Sequence, residues 1–260
     1  MVQLLENNSK VAIVTGASSG IGYATSLALS KRGMRVAVGA RRVDRLQRLE
    51  NQIVNNRDGV RTKGYQEIFM QKKLDVTSKL DCDSFVDAVI RKWGRIDILV
   101  NNAGLMPLSY FKNCKVKEWE QMIDVNIRGV LYCTSAVIPY MIDKKSGHIV
   151  NVSSVAGRIV FAGGSIYCAT KHAITAFSEG LRKELSPEYN IRVTCVEPGA
   201  VATELLETIT DESMSEFIEG SKNMERLQSE DIASAILYAI QAPNHVNVNE
   251  ILIRPTAQER

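Results

Sequence analysis

The chain has 260 residues, of which 45% are hydrophobic and 23% are charged, and its net charge is +3. This length suits one α/β domain with a continuous core, and so small a net charge argues against a nucleic-acid partner. No apolar run approaches the roughly 18 residues that cross a bilayer, and residues 1–10 lack the apolar core of a signal peptide, so we expect a cytoplasmic protein without a membrane partner.

The chain opens with a strand, a glycine-rich turn and a helix. Residues 10–15 are apolar and rich in β-branched side chains, Gly16-Ala-Ser-Ser-Gly20-Ile-Gly22 follows, and a helical pattern covers 23–31. Glycines let the backbone approach a pyrophosphate closely, and a helix N-terminus offers free N–H groups. The turn therefore predicts a dinucleotide site. Its candidate residues are Gly16, Ser18, Ser19, Gly20, Ile21 and Gly22.

The second strand, over 35–39, leads into Arg41 and Arg42, about 20 residues beyond the last glycine of the turn, where an NAD site would place an acid. A guanidinium binds phosphate bidentately, whereas a carboxylate would repel it. The two arginines therefore predict the 2′-phosphate of NADP(H). A helical pattern over 43–56 follows, and we interpret Arg45 and Arg48 as its solvated face.

The third and fourth strands add further candidate cofactor contacts. The third is predicted within 67–76, and Asp75 near its end could bind an adenine amino group or cap the helix that begins near Lys79. The fourth, over 95–100, enters Asn101-Asn-Ala-Gly104, where small residues leave room for a flat ligand. The candidate residues are Asp75, Val76, Asn102, Ala103 and Gly104.

Two polar residues stand out in the middle of the chain. Asn126 lies inside a long helical pattern at 117–143, where an amide competes for backbone hydrogen bonds, so a buried position there would suggest a role. A fifth strand over 147–154 ends in Ser154, at the carboxyl edge where ligands bind in parallel sheets. Its hydroxyl could reach a substrate carbonyl in that crevice.

Tyr167 and Lys171 form a Tyr-x-x-x-Lys pair in a segment predicted to be a long helix. Residues four apart share one helix face, and a nearby cation favours the phenolate form of a tyrosine. Such a tyrosine can donate a proton to a carbonyl oxygen or accept one from an alcohol. The spacing alone is also typical of ordinary exposed helices, so the pair gains its meaning from the rest of the chain.

A sixth strand over 191–196 precedes Pro198-Gly199, and a Ser- and Glu-rich stretch then predicts a mobile helical lid at about 204–225. A helix over 229–241 and a strand over 248–253 close the chain. Without a linker or repeat, the alternation predicts one domain over 1–260, a doubly wound parallel α/β sheet (Rossmann fold) with helices on both faces. The five cysteines have no paired spacing, which indicates reduced thiols and no metal site.

Taken together, these motifs resemble the short-chain dehydrogenase/reductase family over practically the whole chain. The order and spacing match in Thr15-Gly16-x-x-x-Gly20-x-Gly22, Asn101-Asn-Ala-Gly104, Asn126, Ser154, Tyr167-x-x-x-Lys171 and Pro198-Gly199. Ala40-Arg-Arg42 and the ending Glu250-Ile-Leu-Ile-Arg-Pro-Thr256 look more closely like the NADP-dependent branch of bacterial 3-hydroxy-acid (serine-type) dehydrogenases and clavulanic acid dehydrogenase. The ending lacks the glycine pair that many members have after the last strand.

The resemblance implies roles for the central polar residues. Tyr167 would be the proton donor or acceptor, and Lys171 would lower its pKa and hold the nicotinamide ribose. Ser154 would orient the substrate oxygen, and Asn126 would hold a water of a proton relay behind Lys171. Ser153, one residue too early, would be structural.

The resemblance also implies the reaction. Pro198, Gly199 and Thr203 would lie near the nicotinamide carboxamide. The expected protein is an NADP(H)-dependent oxidoreductase that interconverts a secondary alcohol and its ketone or aldehyde, with a small polar substrate such as a 3-hydroxy acid. A homo-oligomer, either a tetramer or a dimer, is expected as well.

Two other functions compete with this one. A 3-oxoacyl thioester reductase would need a basic docking patch for the pantetheine arm, and the arginines near Arg41 are already assigned to the cofactor. A regulator that binds NADP without turnover would have no need of Ser154, Tyr167 and Lys171 together. Turnover of an acyl thioester, or of no carbonyl compound at all, would distinguish them.

Overall fold

A computed structural model describes residues 9–55 and 67–258, and its centre is a seven-stranded sheet. The strand order is β3-β2-β1-β4-β5-β6-β7, and every neighbouring pair is parallel. The strands are β1 (Val11–Thr15), β2 (Arg35–Ala40), β3 (Phe69–Lys73), β4 (Ile98–Asn101), β5 (Gly147–Val152), β6 (Ile191–Pro198) and β7 (Glu250–Ile253).

Helices cover both faces of this sheet. They are α1 (Gly20–Lys31), α2 (Val43–Asn55), α3 (Lys79–Trp93), α4 (Val116–Ile123), α5 (Gly129–Lys144), α6 (Ser165–Tyr189), α7 (Ser215–Asn223) and α8 (Ser229–Gln241). Alternate residues of β1 point to opposite faces, so Val11 and Ile13 join the core under α3, α5 and α6, while Ala12 and Val14 join the core under α1, α2 and α8. The predicted doubly wound Rossmann fold is confirmed.

The strand order reverses between β1 and β4. Strands β2 and β3 extend the sheet on one side of β1, and strands β4 to β7 extend it on the other side. The carboxyl ends of these two adjacent strands carry the glycine-rich turn and the Asn102 segment. Parallel sheets bind ligands in the crevice at such a point. The topology therefore brings together motifs that lie more than 80 residues apart.

Several predicted boundaries differ from the structure. Helix α1 begins at Gly20, three residues earlier than predicted, and β3 ends at Lys73, so Asp75 and Val76 lie beyond it. The long helical pattern at 117–143 is one run from α4 to α5, but a π-helical turn at Asp124–Arg128 interrupts it. The predicted second helix ended at residue 56, which lies outside the described residues.

The run from α4 to α5 also bears on membrane partners. Of the described segments, Val116–Lys144 is the one helix that by length and composition could cross a membrane, with a mean hydropathy of 1.2 over its most apolar window. Its side chains Cys133, Val137 and Met141 are buried in the core beneath α3 and α6. Packing in that core accounts for the apolar composition.

Candidate active site

Tyr167 and Lys171 lie on the buried face of α6, as their spacing predicts. They are only 5% and 8% exposed, and the Lys171 Nζ lies 5.8 Å from the centroid of the Tyr167 ring. Nζ donates a hydrogen bond of 2.9 Å to the carbonyl oxygen of Val152, the last residue of β5. The end of a central strand thus holds the ammonium beside the phenol.

Burial dominates the protonation of both groups. Burial raises the pKa of Tyr167 to about 12, although a hydrogen bond with Ser154 lowers it in part. Burial also lowers the pKa of Lys171 to about 8. In the protein by itself the phenol pKa therefore lies above its ordinary value, in contrast to the predicted lowering by Lys171. The reason is that desolvation penalises phenolate and ammonium alike.

Ser154 completes a cluster with these two side chains. It has extended backbone and precedes a short 3₁₀ turn, Val155–Gly157, where its Oγ accepts a hydrogen bond from the Ala156 N–H (3.1 Å). The same hydroxyl donates to the carbonyl of Pro198 at 3.3 Å and bonds with the Tyr167 phenol. Ser153 turns away and donates to the Lys171 carbonyl at 3.0 Å. Of the two serines, Ser154 is therefore the one that bonds with the phenol.

Asn126 lies in the π-helical turn and is 2% exposed. Its amide pairs with the backbone of Leu105, accepting from the N–H and donating to the carbonyl at 3.0 Å each, and it also donates to the Thr170 hydroxyl at 3.2 Å. A Cβ on Gly104 would lie 3.4 Å from Asn126 Oδ1 and 3.9 Å from Lys171 Nζ. Asn126 thus fixes the segment after β4 against α6, directly beside Lys171.

The Asn102 side chain holds the glycine-rich turn through hydrogen bonds to its backbone. Gly16 and Gly20 have φ values of +66° and +57°, which favour glycine. The Asn102 amide donates to the carbonyls of Thr15 (3.0 Å) and Gly16 (3.2 Å), and a Cβ on Gly22 would lie 2.4 Å from its nitrogen. The Ser19 side chain does not cap α1. The first turn of α1 therefore keeps the N–H groups that could face an anion.

Arg42 reaches back from the end of β2 to the glycine-rich turn. Its Nη2 donates to the Ser19 hydroxyl at 2.8 Å, and its Nη1 forms an ion pair of 2.7 Å with Glu204. Arg45, one helical turn later, pairs with the same carboxylate. Arg45 therefore lies on the partly exposed face of its helix, 34% exposed, and is also engaged in this ion pair, while Arg41 and Arg48 are exposed.

Asp75 is not the cap of α3. The Ser78 hydroxyl caps that helix by accepting from the Asp81 N–H, while Asp75 Oδ1 accepts from the N–H and hydroxyl of Thr77 at 3.0 and 2.8 Å. Burial raises the pKa of Asp75, but the hydrogen bonds from Thr77 more than offset that effect and the pKa is lowered. An ionised acceptor thus remains near the end of β3. Val76 beside it packs against Gly129.

The segment after β6 returns to the glycine-rich turn. The Ala200 N–H donates to Gln258 at 2.9 Å, and a Cβ on Gly199 would collide with that side chain. A Cβ on Gly20 would lie 3.0 Å from the Thr203 methyl, so Thr203 lies directly against the turn. The structure thereby brings Pro198, Gly199 and Thr203 to the same edge of the sheet as the other candidate residues.

Residues 204–225, the lid segment, fold over the loop that follows β4. The predicted helical lid contains two 3₁₀ turns, Glu204–Thr208 and Glu212–Met214, followed by α7. The Met106 N–H donates to the Thr208 hydroxyl at 3.1 Å, and Asp211 accepts from Asn113 at 2.6 Å. Phe217 of α7 stacks on Phe161 with ring centroids 5.6 Å apart.

A small cavity lies beside Tyr167 beneath this segment. The other residues that line it carry no charge, and they are Pro107, Leu108, Ser109, Trp119, Met122, Gly163 and Ile166. Leu205, Leu206 and Met214 of the lid segment pack into the same apolar cluster. The surroundings of the phenol are therefore apolar on the side of the cavity and polar on the side of Lys171.

Sequence reasoning missed several residues that build this site. The Thr15 hydroxyl accepts from the N–H groups of Asn102 and Ala103, both at 3.1 Å, and the Val152 carbonyl holds Lys171. Glu204 joins Arg42 across 162 positions of the chain. Thr15 could have been found, because a hydroxyl at the end of β1 stands next to the glycine-rich turn in the sequence. No neighbouring residue indicates a role for Glu204 or for the Val152 carbonyl.

The fold and its glycine-rich turn define a dinucleotide-binding protein, and comparison with known proteins assigns the family. The model for the short chain dehydrogenase family matches residues 10–214. An uncharacterised oxidoreductase of Staphylococcus saprophyticus is 46% identical over 251 residues, which are 96% of this chain and 97% of that protein. The chain therefore belongs to the short-chain dehydrogenase family, and the predicted family and oxidoreductase class are confirmed.

Solved structures agree with this assignment. The closed form of serine dehydrogenase complexed with NADP⁺ is 33% identical, with a TM-score of 0.85 and 96% of each chain covered. An alcohol dehydrogenase of the archaeon Thermococcus sibiricus, complexed with 5-hydroxy-NADP, is 28% identical, with a TM-score of 0.82 and coverage of 97% of this chain and 99% of that one. Both have the fold described above over practically their full length.

Proposed function

We propose that the protein is an NADP(H)-dependent oxidoreductase that interconverts a secondary alcohol and its ketone or aldehyde. The observation that carries the proposal is the buried cluster of Ser154, Tyr167 and Lys171 at the end of β5. Tyr167 donates a proton to the substrate oxygen during reduction and accepts one during oxidation, while Ser154 orients that oxygen. A bound nicotinamide supplies or takes up the hydride.

Lys171 and Asn126 support the proton transfer. With a pKa of about 8, Lys171 is mostly protonated at neutral pH, and its charge favours the phenolate when Tyr167 gives up its proton. Lys171 also binds the nicotinamide ribose, and Asn126 holds a relay water behind it.

The proposed cofactor is NADP(H) because the residues at the end of β2 fit its 2′-phosphate. Arg41 is exposed there and Arg42 already donates to the hydroxyls of Ser18 and Ser19, whose oxygens occupy donors that a phosphate could use. The NADP⁺ and 5-hydroxy-NADP in the two solved neighbours support this choice.

The remaining contacts follow the edge of the sheet. The turn from Gly16 to Gly22, which includes Ile21, would hold the pyrophosphate, and Asp75 with Val76 would hold the adenine. The nicotinamide end would lie between the segment from Asn102 to Gly104 and the segment from Pro198 to Thr203. The glycine-rich turn contacts the segment after β4 at Gly16 and the segment after β6 at Gly20, next to the switch point of the sheet, where a ligand is expected.

Two substrate classes are proposed, and each is favoured by a different observation. The serine dehydrogenase neighbour favours a small polar 3-hydroxy acid. The lining of the cavity beside Tyr167 carries no charged side chain, which favours an uncharged, apolar ketone or aldehyde, since a buried carboxylate needs a partner.

The test is oxidation of NADPH and NADH, followed at the nicotinamide absorbance, against 3-oxo acids, apolar ketones, aldehydes and an acetoacetyl thioester. We expect turnover with NADPH, and the better substrate class decides between the two proposals. Ser154→Ala should lose most of the activity, which would show that the measured turnover comes from this site. Tight binding of NADPH without turnover of any compound would contradict the proposal and favour a regulator, while preference for the thioester would favour the reductase alternative.

We also propose that the chain, residues 1–260, forms one domain and assembles as a homotetramer or homodimer in the cytoplasm. Leu131 and Tyr140 of α5 are 39% and 37% exposed, and exposed apolar side chains suit an interface. Light scattering would measure the assembly, and a monomer would contradict it. Cell fractionation checks the location.

A further inference from the structure

The guanidinium of Arg42 is held from two sides. Its Nε and Nη2 donate to the Ser18 hydroxyl at 3.2 and 3.1 Å, and Nη2 also donates to the Ser19 hydroxyl at 2.8 Å. Its remaining nitrogen, Nη1, donates to Glu204 Oε2 at 2.7 Å. Because a guanidinium is planar and its donors are fixed, a contact at Nη1 also sets the direction of the Nε and Nη2 edge.

Glu204 is itself held between two arginines. Its second oxygen, Oε1, pairs with Arg45, so the carboxylate joins Arg42 and Arg45 of the same helix end. The hydrogen bonds from Arg45 and Arg42 lower the pKa of Glu204 to about 2, which keeps it ionised at neutral pH. Isolated surface ion pairs contribute little, but a carboxylate shared by two arginines has fewer free orientations.

Glu204 is also the first residue of the lid segment. It begins the 3₁₀ turn Glu204–Thr208, which is capped by the Thr203 hydroxyl, and the next residues, Leu205 and Leu206, pack against the apolar cluster around Tyr167. One side chain therefore connects the arginine at the cofactor edge with the segment that covers the substrate side. The contact spans 162 positions of the chain.

We propose that Glu204 is a positioning residue that directs Arg42 toward the 2′-phosphate of the cofactor and thereby couples that phosphate to the lid segment. The inference rests on the proposed use of NADP(H). The edge of Arg42 that now donates to Ser18 and Ser19 could donate to a phosphate instead by leaving those hydroxyls, and Glu204 would not have to be released because it uses the opposite nitrogen. NADH, which lacks the phosphate, would leave the lid segment uncoupled.

The test compares Glu204→Gln with Glu207→Gln, an exposed glutamate in the same 3₁₀ turn. Nicotinamide fluorescence gives the Kd of NADPH and of NADH without any substrate. We expect Glu204→Gln to weaken NADPH binding about five- to tenfold, while NADH changes less than about twofold. Glu207→Gln should leave both values close to those of the wild type.

Hydrogen exchange of residues 204–214 supplies a second readout. In the wild type, saturation with NADPH should slow exchange there more than saturation with NADH does, and Glu204→Gln should abolish that difference. Equal weakening of both cofactors in Glu204→Gln, or tighter binding of NADPH, would overturn the proposal. So would an equal effect of Glu207→Gln.

Neither readout requires catalysis, so failure of the proposed carbonyl chemistry leaves this result interpretable. A wild-type protein that binds NADH as tightly as NADPH would overturn the cofactor assignment and this inference together. The wild-type measurement alone identifies that case, before any variant is compared.

Discussion

The catalytic cluster and the arginine cluster differ most clearly in burial. Tyr167 and Lys171 are almost fully buried, whereas the side chains of Arg42 and Arg45 are 43% and 34% exposed. Burial displaces the pKa of the phenol upward and that of the ammonium downward. The first site therefore holds groups whose protonation depends on burial, as the proposed proton transfer requires. The second site holds arginines that stay charged, as the proposed binding of a hydrated phosphate requires.

The difference also predicts what substitution does at each site. A buried hydroxyl or amine whose partners are all protein groups has no water to replace a lost contact, so its loss affects chemistry or folding strongly. An exposed arginine pair contributes about 0–1 kcal/mol to folding, so its loss affects mainly the ligand. Three measurements on substituted proteins test catalysis, the choice of cofactor and folding stability in turn.

Tyr167→Phe tests the buried site most severely. It removes one hydroxyl and keeps the ring, so we expect kcat to fall by about 10²–10⁴-fold, the usual contribution of general acid–base catalysis. NADPH affinity should change less than about twofold, because the ring volume is preserved. Tyr238→Phe, at a position on α8 that is 67% exposed, is the matched control. A kcat close to that of the wild type would refute the proposed proton transfer.

Replacement of Arg41 and Arg42 together by methionine tests the exposed site. We expect NADPH binding to weaken by about 2–4 kcal/mol because charge-assisted hydrogen bonds to the phosphate are lost, while NADH binding stays nearly constant. Isothermal titration of both cofactors measures the difference. Arg48→Met, at an exposed position on α2, which begins directly after Arg42, controls for the loss of charge. An equal loss for NADH and NADPH would remove the phosphate assignment.

His148 extends the comparison to a buried group outside the active site. Its Nε2 lies 2.8 Å from the hydroxyl of Thr194, which donates to the Val248 carbonyl, so Nε2 carries the proton and Nδ1 is bare. Nδ1 has no hydrogen-bond partner within the described part of the chain. Burial, with the nearby charges of Arg192 and Lys10, lowers the pKa of His148 to about 3.

Because the unfolded chain takes up this proton near pH 6.5 and the folded protein does not, the stability supplied by neutral His148 is complete above that pH. It is lost as pH falls toward 3, at about 1.4 kcal/mol of unfolding free energy per pH unit. Urea unfolding between pH 7 and 5 should therefore show a steeper decline for the wild type than for His148→Gln. His245→Gln, at an exposed position, is the control. Parallel declines for the wild type and His148→Gln would contradict the expected shift.

Much of the fold follows from local patterns. All seven strands were predicted; the five inner ones read as largely apolar runs because both of their faces are covered, whereas the edge strands β3 and β7 are only partly buried. The start of α1 was missed by three residues because the glycines at its N-terminus are poor helix formers. The π-helical turn at Asn126 was not predictable, because the contacts of its amide with Leu105 and Thr170 come from other elements.

The site shows the same division between local and distant information. The sequence predicted that Tyr167 and Lys171 lie together, because residues four apart share one face of a helix. Their joint burial, and hence the direction of both pKa shifts, depends on β5, β6 and the lid segment packing around them. The predicted lowering of the phenol pKa considered only the neighbouring charge and not the loss of water.

The sequence by itself determined the order of the elements, the glycine-rich turn and the kinds of side chain available for proton transfer and phosphate binding, because these depend on neighbours within a few residues. The tertiary structure decided that Glu204 meets Arg42 and Arg45, and that Ser154 rather than Ser153 meets Tyr167. Such contacts join distant positions through the topology of the sheet. Desolvation, likewise, is a property of the whole packed chain.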